Sequence, residues 1–236
     1  MQHFHGMTVE WLGHATFLLK TAKGTTILID PWLESNPAHP KNWRAPEQID
    51  IVLCTHGHMD HIGDAAAVAK KYKPNFVGMN ELMNYLKTKG AENITPMNLG
   101  GTVTLKDVTV TLVEARHSSS IDDNGQTIYC GEPAGFIIRV DGEPVLYDAG
   151  DTSVFGDMKL IGQIYKPQIA LLPIGDHFTM GPDTAAIAAE YVGCKKVIPM
   201  HYGTFPVLTG RPEQLREHLR GKSIDVLELK SGESLS

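Results

Sequence analysis

The feature that most constrains this chain is a short motif that directly follows an apolar run. The run Ile51–Thr55 has the composition of a buried strand, and the motif His56–His61 (His-Gly-His-Met-Asp-His) places four metal-binding side chains within six residues. A strand end holds a loop rigidly, and metal ligands belong on rigid loops. Ligands at this spacing cannot all face one ion without clashing, but they can serve two adjacent ions. The motif therefore predicts two ions. His56 and His58 would face one of them, and Asp60 and His61 would face the other.

The composition is that of an ordinary globular protein. With 236 residues, of which 42% are hydrophobic and 20% charged, the chain is long enough for a large core and fits one domain, at most two. The formal net charge of −6 disfavours nucleic acid as the main partner, because phosphate binding usually needs a basic surface. No stretch approaches the roughly 20 apolar residues of a membrane helix. We therefore expect a single domain over residues 1–236 with no nucleic-acid partner and no membrane contact.

Cysteine usage indicates the compartment. Cys54, Cys130 and Cys194 are few, odd in number and widely spaced, which argues for reduced thiols in the cytoplasm rather than a disulfide framework. Residues 1–6 carry no apolar segment of the kind that a signal peptide needs. We expect a cytoplasmic protein, and a homo-oligomer is left open.

The order of predicted elements indicates an α/β fold. Strands are predicted at 7–12, 16–20, 25–29, 51–55, 75–78, 102–105, 109–114, 135–140, 144–147, 169–173, 196–199 and 225–229. Helices are predicted at 61–72, 81–89, 157–165, 183–192 and 212–220. Each half of the chain runs first through strands and then through alternating strands and helices. This duplicated order suggests two similar halves packed as sheets inside two helical layers.

Two long segments, 34–47 and 118–133, are rich in Pro, Ser, Asp and Gly and are predicted as loops. Loops of this length are usually functional or mobile. Segment 118–133 follows a candidate ligand, so it could form one wall of a pocket. The alternative is a surface loop without a function.

Three further candidate ligands stand just past strand-like runs. They are His117, Asp151 in Tyr147-Asp-Ala-Gly-Asp-Thr152, and His201 in Ile198-Pro-Met-His-Tyr-Gly203. Each stands at a strand end and is followed within two residues by Gly, Ser or Thr, so all of them could meet at one edge of the sheets. Taken alone, each is as easily a turn-capping Asp or an ordinary hydrogen-bonded histidine. After the first motif, and in this order, they favour a metal site.

With these residues the chain resembles the metallo-β-lactamase superfamily, and within it the small metal-dependent hydrolases that are similar to the ascorbate-phosphate lactonases. The resemblance runs from about residue 8 to residue 203 and implies the four-layer αβ/βα sandwich of that superfamily. Position by position, it implies a first metal site of His56, His58 and His117, a second of Asp60, His61 and His201, and Asp151 as a bridging carboxylate.

The resemblance also implies roles for residues outside the ligand set. Asp30, in Leu28-Ile-Asp-Pro31, matches an early acidic position of the superfamily. An Asp after an apolar strand is usually a cap or turn residue, but here it could also orient a ligand imidazole. His14 and His177 lie in Gly-flanked turns and match positions where the lactonase-like relatives have pocket histidines. We predict that both contact substrate or donate a proton, and the alternative is a turn histidine that bonds backbone.

The chemistry of the ligands indicates which ions they would hold. Imidazole and carboxylate suit Zn²⁺ above all, with Mn²⁺, Ni²⁺ and Fe²⁺ left open. Two ions about 3.5–4 Å apart can share a hydroxide and clamp both the attacking and the leaving oxygen. Flavodiiron relatives usually carry Glu where this chain has His58, and that departure favours hydrolysis over oxygen reduction.

The leading hypothesis is a hydrolase that uses a metal-bridging hydroxide on a small, anionic ester, lactone or phosphodiester. Asp60 or His177 would deliver the proton to the leaving group. A second hypothesis is a phosphodiesterase of the tRNA-processing type that acts on RNA or nucleotides. It would need an RNA-gripping arm or a basic surface, and no long basic insertion is present. A third is a non-catalytic protein that binds a metal or ligand in the same pocket.

Overall fold

The structure, a computed structural model, describes residues 3–236. The first half contributes strands β1 (Thr8–Trp11), β2 (Phe17–Lys20), β3 (Thr26–Ile29), β4 (Ile51–Cys54), β5 (Asn75–Met79) and β6 (Asn93–Met97), with helices α1 (Met59–Ile62), α2 (Ala65–Tyr72) and α3 (Asn80–Thr88). The second half contributes strands β7 (Thr102–Leu105), β8 (Val108–Glu114), β9 (Ser120–Asp123), β10 (Gln126–Tyr129), β11 (Ala134–Val140), β12 (Leu146–Asp148), β13 (Ile169–Pro173), β14 (Lys196–Met200) and β15 (Asp225–Val226). Its helices are α4 (Met158–Tyr165), α5 (Pro182–Val192) and α6 (Pro212–His218), and the last strand is β16 (Ser234–Leu235).

The two large sheets follow the same plan. The first has the strand order β16-β1-β2-β3-β4-β5-β6, antiparallel from β16 to β3 and parallel from β3 to β6. The second has the order β15-β14-β13-β12-β11-β8-β7, antiparallel from β7 to β12 and parallel from β12 to β15. The prediction of two similar halves is confirmed. None of the helices within residues 3–236 is long and apolar enough to cross a membrane.

The sheets are stacked between two helical layers. In β11, Phe136 and Ile138 belong to a core that also contains residues of the first sheet, whereas Ile137 belongs to a second core formed with α4, α5 and α6. This division follows from the strand repeat, because successive side chains point to opposite faces. On the other side, Val68 of α2 and Leu82 of α3 cover the first sheet. The observed layers are helix, sheet, sheet and helix, as the four-layer sandwich predicts.

The prediction of one helix over 61–72 is wrong, because the chain breaks between α1 and α2. A side chain at Gly63 would lie 2.7 Å from the carbonyl oxygen of Met59 and 3.0 Å from the ring of Trp32. The Asp64 carboxylate accepts hydrogen bonds from the backbone of Leu33 at 2.6 Å and of the residue after it at 3.1 Å. Contacts with the segment after β3 therefore decide where the second helix begins.

The prediction that 118–133 is a loop is also wrong. The segment contains β9 and β10, which pair as a hairpin around Asn124 and Gly125, both with positive φ. Asn-Gly is a strong signal for such a two-residue turn, but the flanking strands are too short and polar to stand out. The edge strand β6 was not predicted either. It contains Pro96, and a proline within a short run argues against a strand because it cannot donate a backbone hydrogen bond to a neighbouring strand. Segment 34–47 contains neither helix nor strand, as expected.

A truncation between the two sheets tests this arrangement. Leu171 of β13 is fully buried in the core that joins the sheets. We expect Leu171→Ala to lower the free energy of unfolding of the metal-free protein by about 2–5 kcal/mol, because the cavity relaxes only in part. Leu160→Ala is the control, since Leu160 on α4 is 51% exposed and should change stability by no more than about 0.5 kcal/mol. Equal losses in urea denaturation would contradict the packing described.

Candidate metal centre

The predicted ligands converge at one edge of the sandwich, where strands of the same direction end. Asp30 follows β3, the motif His56–His61 follows β4, and His117 follows β8. Asp151 follows β12 and His201 follows β14. Carboxyl ends of neighbouring parallel strands lie side by side, so residues far apart in the sequence meet there. The structure brings all seven predicted ligands together.

The first group of ligand atoms comes from His56, His58 and His117, which lie within 4.8 Å of one another. His56 Nε2 is 3.0 Å from His58 Nδ1. Two nitrogens that each bind one tetrahedral Zn²⁺ at 2.0–2.1 Å are about 3.3 Å apart. The spacing of these imidazoles therefore suits a shared ion.

The second group consists of His14, Asp60, His61 and His201. One oxygen of Asp151 lies between the two groups. Its Oδ2 is 3.0 Å from His201 Nε2 and 3.3 Å from His61 Nε2. The same oxygen is 3.6 Å from His117 Nε2 and 4.0 Å from His56 Nε2. A carboxylate in this position can contact ions bound to either group.

Hydrogen bonds behind the ligands determine which ring nitrogens are free. Asp30 accepts from the Thr55 backbone at 2.8 Å, from the Thr55 hydroxyl at 2.7 Å and from His61 Nδ1 at 2.7 Å. Because the Thr55 hydroxyl donates to Asp30, its oxygen is free to accept from His56 Nδ1 at 2.9 Å. Both imidazoles therefore carry hydrogen on Nδ1. Their Nε2 atoms point lone pairs towards the centre.

Several buried atoms at the centre form no hydrogen bond within residues 3–236. They include His61 Nε2, His201 Nε2 and Asp151 Oδ1. Buried polar atoms nearly always have a partner, and a divalent cation is the partner that converging imidazole nitrogens and carboxylate oxygens share. On this chemistry, the residues present fit divalent metal ions.

Burial and charge support the same assignment. Burial lowers the pKa of His56, His58 and His117, which keeps these imidazoles neutral and able to bind metal. Burial also acts to lower the pKa of His61, but the charges of Asp151 and Asp30 raise it well above its usual value. The acidic surroundings of His61 therefore favour a positive charge, which a proton or a metal ion can supply.

His14 contacts the centre directly. It lies fully buried in the turn between β1 and β2, with Nε2 3.1 Å from Asp60 Oδ2 and Nδ1 2.9 Å from Thr204 Oγ1. Burial lowers the pKa of His14 to about 4. Burial would raise the pKa of Asp60, but the hydrogen bond from His14 and the charge of His61 hold it below its usual range. An ionised Asp60 suits a ligand better than a proton donor, and substrate contact by His14 stays a prediction.

His177 is not among the clustered ligands. It is exposed in the segment between β13 and α5, where both Asp176 and His177 have positive φ. This segment is held beside the centre, because Met180 N donates to Thr152 O at 3.1 Å. On its other side, a side chain at Gly175 would lie 2.0 Å from the His201 carbonyl oxygen. Backbone strain of this kind clusters at functional sites, and the role of His177 stays a prediction.

The residue pattern did not reveal several side chains that contact the ligands. Ser118 Oγ is 3.2 Å from His58 Nε2, and Thr204 and Thr55 bond other imidazoles. Asp148 is fully buried, and burial together with Asp30 raises its pKa to about 8. The one signal of these contacts in the sequence was the position of Ser118, which directly follows the candidate ligand His117. Hydroxyl residues are too common in turns for their type alone to indicate this role.

The Asp30 network can be tested by one substitution. An amide in place of the carboxylate has a single acceptor oxygen and no negative charge, so it cannot accept both from Thr55 N, which bonds Oδ1, and from the Thr55 hydroxyl and the His61 ring, which bond Oδ2. We therefore expect Asp30→Asn to lower metal affinity about 10–100-fold. Competition with a chelator measures this affinity. Asp50→Asn is the control, because Asp50 bonds Thr26 N at 2.9 Å, at the opposite end of β3. Equal metal affinity in the two variants would rule out the orienting role of Asp30.

Comparisons with known proteins agree with this geometry. The family model of the beta-lactamase superfamily domain matches residues 25–202. A UPF0173 metal-dependent hydrolase of Koribacter versatilis is 50% identical over 231 residues, which cover 98% of each chain. One from Solibacter usitatus is 45% identical over 226 residues, covering 96% of this chain and 98% of the relative. A solved metallo hydrolase from the hyperthermophilic archaeon Ignicoccus hospitalis has 33% identity and a TM-score of 0.84, with 97% of each chain covered. The chain therefore belongs to the metallo-β-lactamase superfamily and, within it, to a family of metal-dependent hydrolases.

Proposed function

We propose that this protein is a binuclear hydrolase that acts on a small, anionic ester, lactone or phosphodiester. The observation that carries the proposal is the position of Asp151, whose Oδ2 lies 3.0–4.0 Å from imidazole nitrogens of both ligand groups. A single ion would leave one of these groups unused. Zn²⁺ is the first choice for imidazole and carboxylate ligands, and Mn²⁺, Ni²⁺ and Fe²⁺ can use the same atoms.

The side chains have separate tasks in this proposal. Two divalent ions, when bound, would lower the pKa of a water molecule to about 7 and neutralise charge on the substrate. Asp30 and Thr55 hold His56 and His61 with their Nε2 atoms free for those ions. His14 holds the Asp60 carboxylate in place by its hydrogen bond. Rigid ligands of this kind keep the reacting groups in position without rearrangement during the reaction.

The exposed side of the centre indicates how a substrate would approach. The side chains of Asp60 and His117 are 28% and 13% exposed, whereas those of His61 and His201 are buried. A cavity of about 400 Å³ adjoins His117 and is also lined by Arg116, Glu114 and Glu132, and this volume is suitable for a small molecule. Two divalent ions would outweigh the charges of the two ligand carboxylates, which supports an anionic substrate.

The same proposal includes the cytoplasm as the working compartment. The three cysteines are unpaired and buried, which suits a reducing environment. The net charge of −6 supports a small-molecule substrate rather than RNA. Whether the chain forms a homo-oligomer stays open.

Metal content and turnover test the binuclear proposal together. We expect reconstituted protein to bind two Zn²⁺ per chain and to hydrolyse at least one member of a panel of lactones, esters and phosphodiesters. His58→Ala and His201→Ala should each lose one equivalent, and each should lower kcat/KM at least about 100-fold, because both ions position the reacting groups.

The control for these variants is His218→Ala, since His218 is exposed on α6. Elemental analysis and initial rates are measured on the same samples. A stoichiometry of zero or one after reconstitution would contradict the paired site. Two bound ions without metal-dependent turnover of any substrate class would instead favour a binding protein.

The role of His177 gives a separate prediction. We expect His177→Ala to retain both ions and the same Tm while kcat/KM falls about 10²–10⁴-fold, because an exposed imidazole beside the centre can donate a proton or hydrogen bond to substrate. His14→Ala should differ, since it removes the partner of Asp60 and should weaken metal binding. His5→Ala, at an exposed position, is the control. Loss of a metal equivalent in His177→Ala would make His177 a ligand, and unchanged kinetics would make it an ordinary turn residue.

A further inference from the structure

The hairpin β9–β10 lies against the metal-binding loop after β4. It belongs to the second half of the chain, between β8 and β11, but its contacts reach the first half. Just before the hairpin, Ser119 Oγ accepts from Gly57 N at 3.2 Å, and just after it, Ala134 N at the start of β11 donates to Thr55 O at 3.0 Å. At the tip of the hairpin, Asp123 pairs with Lys89, the residue after α3, at 2.7 Å. The hairpin is therefore fastened to the loop that carries the first ligand group.

The hairpin packs closely against the backbone at Gly57, between His56 and His58. A side chain at Gly57 would lie 2.9 Å from Cys130 Cβ and 3.2 Å from Ile121 Cγ1. Cys130 and Ile121 are both buried, so neither has open space into which to move. Ser119 is also buried, and its backbone oxygen accepts from Cys130 N at 3.1 Å. Ser119 thus joins the two ends of the hairpin to the peptide of Gly57.

The neighbouring residue, Ser118, contacts the ring of His58. Its Oγ lies 3.2 Å from His58 Nε2, while His58 Nδ1 is the atom that faces His56 Nε2. Nδ1 can bind a metal only if the ring hydrogen is on Nε2, and the Ser118 oxygen is placed to accept that hydrogen. His58 is partly exposed, unlike His56 and His61. Without Ser118, the lone pair on His56 Nε2 would favour hydrogen on His58 Nδ1, and that tautomer has no Nδ1 lone pair for a metal ion.

We propose that Ser118 and Ser119 are positioning residues for the first metal site, with Ser119 holding the Gly57 peptide and Ser118 holding the His58 ring in its metal-binding tautomer. The proposal rests on the metal ligands of the proposed function. It goes further by assigning the hairpin a role in arranging one ion and not the other. Partners of this kind typically change metal affinity about 10–100-fold when they are removed.

Two serine-to-alanine variants test the proposal, Ser118→Thr tests whether a hydroxyl restores the function, and a third alanine variant serves as the control. Ser118→Ala and Ser119→Ala should each lower the affinity for one Zn²⁺ about 10–100-fold while leaving the affinity for the other unchanged. Ser118→Thr retains a hydroxyl and should restore the affinity. Ser120→Ala is matched to them, because it lies on the same hairpin and its hydroxyl bonds no ligand imidazole within residues 3–236.

Zn²⁺ affinity is measured by competition with a chromophoric chelator, and His58→Ala identifies which of the two binding constants belongs to the first site. The second measurement is the ¹⁵N NMR spectrum of the histidine side chains in metal-free protein. We expect the fraction of His58 with hydrogen on Nε2 to be larger in the unaltered protein and in Ser118→Thr than in Ser118→Ala, because without the serine hydroxyl the ring donates from Nδ1 to His56 Nε2.

The same fraction of His58 with hydrogen on Nε2 in the unaltered protein and in Ser118→Ala would overturn the role of Ser118. Unchanged Zn²⁺ affinity in Ser119→Ala would overturn the role of Ser119. The tautomer is read without metal or substrate, so its outcome stands even if the protein hydrolyses nothing. Failure of the proposed function would be seen as missing turnover in a protein that retains both ions.

Discussion

The carboxylate of Asp30 is the group on which the rest of the site depends. It accepts three hydrogen bonds, two from Thr55 and one from His61, and through the Thr55 hydroxyl it also determines the orientation of His56. Asp30 has a φ of 46°, a conformation that costs a non-glycine residue about 1–3 kcal/mol. Hydrogen bonds to a charged group contribute about 1.5–3 kcal/mol each. Three such bonds outweigh the backbone cost, so the strained turn persists and orients one imidazole of each ligand group.

Backbone strain is concentrated at the same edge of the sandwich. Nine non-glycine residues within 3–236 have positive φ, and five of them lie in turns beside the metal centre: His14, Asp30, Asp176, His177 and His201. The others lie at helix ends or in tight turns, where this conformation is ordinary. A chain under selection for stability alone would favour glycine at such positions. Side chains retained there in spite of the cost indicate a task for those side chains.

The sequence was sufficient to predict the parts of the protein that depend on local patterns. Long apolar runs gave the buried strands, and the compact motif His56–His61 with Asp151 and His201 gave the ligand groups that the structure brings together. Elements defined by tertiary contacts were missed. The break between α1 and α2 falls at Asp64, whose carboxylate bonds the backbone of the segment after β3, and the hairpin β9–β10 is polar because it packs on a loop rather than in a sheet core. The role of Ser118 depends on a ring that is 60 residues away in the sequence.

Each ligand group combines residues from both halves of the chain, and this links metal binding to the fold. His56 and His58 come from the first half and His117 from the second, while Asp60 and His61 are combined with His201 in the same way. An ion bound to either group therefore joins the two halves and has few preformed ligands in the unfolded chain. Binding to the native state alone adds about 2.7 kcal/mol of stability when the free ion is at 100 times its Kd. A lower Tm in a ligand variant consequently reports lost ion binding as well as lost packing, and only metal-free protein separates the two.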